Sequence, residues 1–396
     1  MRIAINVEQL FYRAPGGTGR YAARLVSSLA REFSGDLIVP FSAWHRRGEA
    51  EEVFTRFGLP SDAAARLVRA PLPRPALFEA WNSLAFPGPG LLSSKLRGAD
   101  VVHAPLLAVP PVRCPLVVTV HDTGFALFPE SYPRRGLRFH SRALQRVAGR
   151  AKLVVTATHA AAAEIVEHSR IREDRLRVVP HGVDHRVATP EEKGRALERY
   201  GLGNVPYVLW VGSLEPRKNV GAVVRAFARL GAGHPMSAGR PVSAGRAAWA
   251  HRLVLAGPLG WLHQGLIADS ERAALGERLR ILGAVGEDDL RGLYAGAALF
   301  AFPSLHEGFG MPALEAMVQG TPVVCSDLPA LREVTGGAAV LVPPDDIDQW
   351  AGAIEEVAAP GARREALVSA GLDRAREFSW GATARMTHRV YEEALA

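Results

Sequence analysis

Short apolar, β-branched runs recur along this chain, separated by stretches of helical periodicity. Strand candidates fall at 3–7, 37–40, 100–103, 116–121, 153–158 and 177–180. A second series follows at 207–212, 252–256, 279–283, 298–303, 322–326 and 338–341. Helix candidates lie between them at 20–32, 135–151, 159–169, 220–230, 288–295 and 312–320, with a last one at 380–395. Several runs are apolar on both faces, as parallel strands covered by helices must be. Strand–helix alternation of this kind specifies a doubly wound α/β sheet, and the chain runs through it twice. At 396 residues, each half is long enough to bury its own core.

The pattern places one Rossmann-like domain over 1–190 and a second over 191–378, followed by a helical segment over 379–396. The seam is expected in 181–203, where a charged segment (Glu191, Glu192, Lys193, Arg195) precedes the second series. Residues 231–250 differ in kind. Ser-Ala-Gly-Arg occurs at 237–240 and again at 243–246 amid Gly, Pro and Ala, the composition of a mobile surface loop with no core role.

Composition narrows the class. With 48% hydrophobic and 22% charged residues, the chain is neither disordered nor collagen-like nor a small disulfide scaffold. Cys114 and Cys325 belong to no Cys-x-x-Cys or Cys/His cluster, which argues against zinc and a redox dithiol. The start MRIAINVEQL enters a strand without a signal-peptide pattern, and no apolar run approaches the ~18 residues that cross a bilayer. A reduced, cytoplasmic setting is expected.

Ligands of doubly wound sheets bind beyond the carboxyl ends of the strands, so the chemistry belongs in those loops. The strongest candidate there is 306–315. A strand runs into a glycine-bearing loop with Glu307, Gly308, Phe309, Gly310 and Met311, and a helix starts near Pro312. Loop amides and a free helix N-terminus suit an anion, phosphate above all. Glu315 lies about one turn into that helix, so Glu307 and Glu315 can reach different parts of one extended ligand; an ordinary capped helix start is the plainer alternative.

A second strand-to-helix junction, 211–219, carries Ser213, Arg217, Lys218 and Asn219. Two fixed cations there can stabilise a departing diphosphate in place of a metal. Lys218 is one of only four lysines among 47 basic residues. A solvated helix start is the alternative. The Ala14-Pro15-Gly16-Gly17-Thr18-Gly19-Arg20 loop, between the first strand and first helix, matches neither Gly-x-Gly-x-x-Gly nor a P-loop, and a flexible turn is its plainer reading. His121-Asp122 leaves the apolar run at 115–120 and suits a place in a site.

Taken in order, Gly-Gly-Thr-Gly-Arg-Tyr (16–21), Val-Thr-Val-His-Asp (118–122), Val-Pro-His-Gly-Val-Asp (179–184), the 211–219 segment and Glu-Gly-Phe-Gly-Met-Pro-Ala-Leu-Glu-Ala-Met (307–317) resemble a family 4 retaining glycosyltransferase of GT-B fold. The match covers nearly the whole chain. The resemblance implies two facing Rossmann-like domains, with the final helix crossing back onto the first. It implies that Glu307 contacts the donor sugar and Glu315 the ribose. Arg217 and Lys218 would hold the diphosphate with amides of Gly308, Phe309, Gly310 and Met311 and with Gly17. His121, with Asp122 beside it, would position the sugar or acceptor. Relatives often carry a basic residue near 213, where this chain has Ser213.

By the same resemblance, catalysis is metal-independent and needs no cofactor, and a hexose passes from a GDP- or UDP-sugar to a hydroxyl acceptor. Mannose from GDP-mannose is the favoured donor reading, in the synthesis of a glycan, glycolipid or polysaccharide. An epimerase of GT-B shape and a non-catalytic nucleotide-sugar-binding subunit are the alternatives.

Charge is unevenly distributed. Residues 1–190 carry 26 Lys+Arg against 16 Asp+Glu, and 191–396 carry 21 against 24. Arg134, Arg138, Arg142, Arg146 and Arg150 recur every four residues and span about 160° of one helix side. This stripe is either a solvated face or a surface for an anionic, lipid-linked acceptor at the inner face of a membrane. Nucleic acid is not expected, because no aromatic-interleaved basic tract appears.

Overall fold

The computed structural model describes residues 1–12, 15–84, 94–96, 98–231 and 249–396. The Ser-Ala-Gly-Arg repeat lies outside the described residues. The remainder forms two compact units. One comprises Met1–Pro129, Arg134–Gly182 and Phe378–Ala396; the other comprises Glu130–Pro133 and Val183–Glu377.

The first unit is built on β1 (Arg2–Asn6), β2 (Leu37–Ser42), β3 (Val68–Arg69), β4 (Val101–Ala104), β5 (Leu116–Thr119), β6 (Leu153–Thr156) and β7 (Leu176–Val178). Their order across the sheet is β3-β2-β1-β4-β5-β6-β7, and every pairing is parallel. The second unit is built on β8 (Tyr207–Val211), β9 (Arg252–Ala256), β10 (Leu279–Gly283), β11 (Leu299–Phe302), β12 (Val323–Ser326) and β13 (Val340–Val342). Their order is β10-β9-β8-β11-β12-β13, again all parallel. Each order reverses once, between β1 and β4 and between β8 and β11, which is the doubly wound topology with its ligand crevice at the switch.

Strands β4, β5, β6, β11 and β12 are buried along their whole length. That is why their sequences are mainly apolar instead of alternating, with His103 in β4 and a terminal Thr or Ser in β5, β6 and β12 as buried polar exceptions. Trp210, Phe227 and Trp350 fill the core of the second unit. Strand β3 has no counterpart in the sequence pattern. Its two half-buried residues pair only with Phe41 and Ser42 at the sheet edge, too short a run to show a period.

The charged stretch after residue 190 is not a linker. It is the helix Pro190–Arg199, opened by a capping box in which Thr189 and Glu192 each accept the other's amide hydrogen. The helix lies so close to Glu287–Gly296 that a Cβ on Gly292 would meet the Ala196 Cβ at 2.7 Å. The division between units therefore falls after Gly182, eight residues ahead of the expected boundary at 190.

The helix Trp380–Leu395 is part of the first unit although it follows the second in sequence. Ser379 caps it by accepting the Ala382 amide hydrogen. Thr383 Oγ1 donates to the Pro180 carbonyl at 2.8 Å, and His388 pairs with Asp36 while stacking on Phe33. The Tyr391 hydroxyl reaches His103 Nδ1 at 2.7 Å, and His103 Nε2 meets Thr119 Oγ1 at 2.8 Å. Gly182 is required for this seating, because a Cβ there would run into the backbone of Trp380.

Burial, with a smaller contribution from His121, pushes the fully buried His103 down to about 3. It is therefore neutral in the folded chain, whereas the unfolded chain takes up a proton near the ordinary histidine value. The stability it contributes is complete above pH ~6.5 and is lost as pH falls from there towards 3. Urea midpoints should decline over that window, and His103→Gln should flatten part of the decline. Tyr391→Phe, which strips His103 of a buried partner, should cost about 1–3 kcal/mol at neutral pH by the same measurement.

Candidate functional site

In the second unit, β8 ends in Gly212-Ser213-Leu214-Glu215 and a single 3-10 turn, Pro216–Lys218, before the helix Val220–Gly231 begins. Asn219 joins turn to helix in the left-handed region (φ 48°), which asparagine tolerates better than most residues. Its amide donates to the carbonyls of Pro303 at 3.1 Å and Pro344 at 2.9 Å. One side chain thus ties the strand-end loops after β8, β11 and β13 together. Ser213 is half-buried in the same loop, which is pinned to the next strand-end loop by Leu214 N donating to Pro258 O.

The loop after β11 brings Glu307 against that turn. Lys218 Nζ donates to Glu307 Oε1 at 2.5 Å, and Ser304 Oγ donates to the same oxygen at 2.7 Å. Arg217 Nη1 lies 3.9 Å from Glu307 Oε2 and donates to the His306 carbonyl at 2.8 Å, while Nη2 reaches Glu215 at 3.3 Å. These four charged side chains are all at least 85% shielded from solvent. Burial pushes the Glu307 carboxyl up, but Lys218 and Arg217, aided by hydrogen bonds from Lys218 and Ser304, outweigh it and hold the group below its ordinary value. Glu307 is therefore ionised at neutral pH. It can accept hydrogen bonds from a ligand's hydroxyls and cannot serve there as a proton donor.

Gly308, Phe309 and Gly310 are buried, and Gly310 stands at φ 102° immediately before the helix Met311–Val318. A Cβ on Gly310 would collide with Leu331. Only glycine serves there, and it turns the loop so that the helix N-terminus, with Met311 first, opens at the strand-end edge. Glu315, half-buried on that helix, accepts a hydrogen bond from Tyr294 at 3.3 Å.

In the first unit, His121 follows β5. Its Nε2 lies 3.2 Å from the Pro105 carbonyl, which can only accept, so Nε2 carries the hydrogen. Its Nδ1 lies 3.3 Å from His181 Nε2, and the ring meets Tyr21 edge-on at 5.0 Å. Burial holds His121 below the ordinary histidine value despite the Pro105 carbonyl and Asp122. Asp122 accepts the Gly124 amide hydrogen at 3.0 Å and so closes its own turn. The glycine turn is the first turn of the helix Gly16–Glu32, which starts four residues earlier than expected. Gly19 is fixed by packing, since a Cβ there would meet Pro15 at 2.5 Å, whereas Gly17 is exposed with nothing within 4 Å. Ala14, at the head of that loop, lies outside the described residues.

The structure thus joins Arg217, Lys218 and Glu307 directly and sets Gly308–Met311 beside them. Sequence reasoning gave no role to Ser304, Glu215, Asn219, Tyr294 and His181: Ser304, Glu215 and Asn219 hold the cluster and its loops, Tyr294 steadies Glu315 and His181 meets His121. Their signal was faint: Ser304 stands three residues before Glu307, and His181 lies inside a matched motif without an assigned role. Among the described residues, no three His, Cys, Asp or Glu side chains gather as a metal site.

Comparison with known proteins adds the following. Residues 15–187 match the family model described as Glycosyltransferase Family 4, and 205–359 match Glycosyl transferases group 1. The chain is 30% identical to the O-antigen chain mannosyltransferase B of Escherichia coli, over 99% of this chain and 100% of that one. It is also 30% identical to the MMP alpha-(1->4)-mannosyltransferase of Mycolicibacterium hassiacum, over 100% and 99%. Among solved structures, HepE from Anabaena, determined with UDP and glucose, superposes with TM-score 0.72 at 18% identity, covering 99% of this chain and 100% of that one. WaaG, a glycosyltransferase involved in lipopolysaccharide biosynthesis, gives 0.71 at 18%, covering 97% and 98%.

The two loop glycines should behave oppositely when changed to alanine. Gly310→Ala combines a left-handed backbone with overpacking and should lose about 2–4 kcal/mol in urea unfolding. Gly17→Ala should unfold at the parent's urea midpoint or slightly above it, since the added methyl meets nothing in the chain.

Proposed function

We propose a reaction for this chain on one premise: it belongs to glycosyltransferase family 4. It is a retaining hexosyltransferase of Rossmann-like, GT-B architecture that draws on a nucleotide-sugar donor. The finer reading is transfer of mannose from GDP-mannose to a saccharide hydroxyl. Two relatives matched over their full length, both mannosyltransferases, support the choice of sugar.

The observation that carries the site is the shielded Lys218–Glu307 pair with Arg217 beside it, at the carboxyl ends of β8 and β11. Breaking the glycosidic bond of the donor leaves negative charge on the diphosphate. Cations already fixed in a shielded site stabilise that charge without reorganising at the moment of reaction. Arg217 is anchored through His306 and Glu215, so its position is set before the ligand arrives. Lys218 spends one of its three donors on Glu307 and has others for phosphate oxygens. The amides of 308–311 and the helix N-terminus extend the anion site, with Ser213 as a further contact.

Ionised Glu307 accepts from the sugar hydroxyls and Glu315, steadied by Tyr294, from the ribose. Neutral His121 with Asp122 positions the sugar or acceptor. In this reading two side-chain cations do the work a metal would otherwise do, and no cofactor is needed.

The surface helix Arg134–Arg150 supports a peripheral contact with an anionic, lipid-linked acceptor or its membrane. Its stripe is divided. Arg142 pairs with Glu79 at 3.0 Å, and Arg146 and Arg150 donate to the carbonyls of Asn82 and Val112. Arg134, Arg135 and Arg138 are exposed at the amino-terminal end. Among the described residues, no helix is long and apolar enough to cross a membrane.

Glu307→Ala and Lys218→Ala should each lower transfer from GDP-mannose by about 100-fold or more, with circular dichroism of the folded chain retained. Near-parental transfer in either would defeat the assignment. Glu315→Ala should weaken donor binding by about tenfold in calorimetry. The same calorimetric screen across GDP-, UDP- and ADP-sugars tests the donor, and tighter UDP-sugar binding would overturn the GDP reading. Liposome sedimentation should recover more protein with anionic than with neutral lipid, and Arg134→Ser/Arg135→Ser/Arg138→Ser should erase the difference. Equal recovery by the parent would remove the membrane contact.

A further inference from the structure

A polar cluster with an exposed tryptophan stands at the carboxyl ends of β1 and β2, in a stretch of the first unit where the sequence offered no motif. Glu8, two residues past β1, is fully buried. It accepts the Ala43 amide hydrogen at 2.8 Å and meets His45 Nε2 at 3.0 Å, with Arg74 at 3.9 Å. A carboxylate without exposure is costly unless it is paired and hydrogen-bonded, as Glu8 is. Here it fixes the two residues that flank Trp44. The Trp44 amide is held as well, donating to Leu72 at 3.0 Å. His45 stacks on Phe11 with ring centres 3.9 Å apart. The backbone around Trp44 is thus immobilised on both sides, yet the side chain itself is 55% exposed.

The placement ties this cluster to the site. Across the sheet the order β2-β1-β4-β5 lines up Trp44, Glu8, Pro105 and His121 at successive strand ends. The connection is also one of hydrogen bonds. The Pro105 carbonyl accepts from His121 and, at 3.2 Å, from Gln9, the neighbour of Glu8. A single row therefore runs from the histidine expected to position the sugar or acceptor to an exposed indole on a fixed backbone.

We propose that Trp44 is the stacking platform of a saccharide-binding subsite, with Arg74 hydrogen-bonding the ring hydroxyls and Glu8 and His45 as positioning residues. An exposed indole on a fixed backbone offers its π face to the C–H face of a pyranose and has only two side-chain torsions to order on binding. Arg74 lies over the Tyr12 ring at 4.4 Å, which fixes its plane, and its side chain is 38% exposed. Glu8 offsets its charge, so the subsite suits a neutral sugar ring better than an anionic one. Resting on the reading of the chain as a mannosyltransferase, the subsite takes the saccharide end of the acceptor.

The test uses the full chain labelled with 5-fluorotryptophan, with the Trp44 fluorine line assigned by its loss in Trp44→Phe. Titration with α-mannobiose and, separately, chitobiose, without nucleotide, should shift the Trp44 line saturably. Arg74→Met should weaken that binding about tenfold. A Trp44 line that stays put with both disaccharides, or moves no more than it does with glycerol, overturns the subsite.

In transfer assays with GDP-mannose, Trp44→Ala should raise the KM for the disaccharide acceptor about tenfold while the donor KM does not follow. Trp44→Phe should restore most of the acceptor KM, and an unchanged acceptor KM in Trp44→Ala would overturn the proposal. Because the titration needs no donor, a chain that ignores GDP-mannose but binds the disaccharide at Trp44 defeats the mannosyl-transfer reading and leaves the subsite standing.

Discussion

All strands within each sheet run the same way, and the site depends on that constraint. A parallel sheet gathers its carboxyl ends along one edge, so loops far apart in sequence are delivered to the same place. Lys218 and Glu307 are 89 positions apart and in contact because β8 and β11 are neighbours. Asn219 makes the gathering rigid by binding carbonyls from two other strand-end loops. In the first unit the same geometry aligns the residues that follow β2, β1, β4 and β5. Chemistry in this chain is a property of sheet edges, and the helices mainly keep those edges in register.

Much of this was legible in the sequence for a physical reason. Strands buried on both faces must be largely apolar, so β4, β5, β6, β11 and β12 announce themselves. Gly310 was visible because no other residue tolerates both its φ and the nearness of Leu331. What stayed hidden was whatever depends on pairing. Ser304 and Tyr294 are ordinary residue types until the fold brings them to Glu307 and Glu315. The charged stretch at 191–195 was placed in the seam without an element of its own, because charge density alone does not distinguish a solvated helix from a loop. The Thr189–Glu192 capping box was the signal that could have decided it. Strand β3 was too short to leave a period.

The electrostatics change meaning once partners are known. The second unit combines its two critical cations with Glu215 and Glu307, so the cluster is balanced before any ligand binds. Balance allows Arg217 and Lys218 to remain shielded without forcing either out to water, and it keeps Glu307 ionised. Six basic residues against no acidic one, more than half of the first half's surplus of ten, lie on the helix Arg134–Arg150, where Arg142 pairs with Glu79 and Arg146 and Arg150 donate to the carbonyls of Asn82 and Val112. Net charge per half was a true sum that hid two distinct arrangements, one compact and paired, the other spread along a surface.

The helix Trp380–Leu395 imposes an order on how the chain can be made. Its contacts with Pro180, His103 and Asp36 close the first unit, yet it leaves the ribosome only after the entire second unit. During synthesis the first sheet must wait, with the backs of β4 and β5 uncovered and His103 short of Tyr391. The second unit, all of whose strands lie between Val183 and Glu377, can finish folding earlier. The half that begins first is thus completed last. A chain that ends after Glu377 but short of the last helix presents a finished second unit together with an uncovered apolar surface on the first.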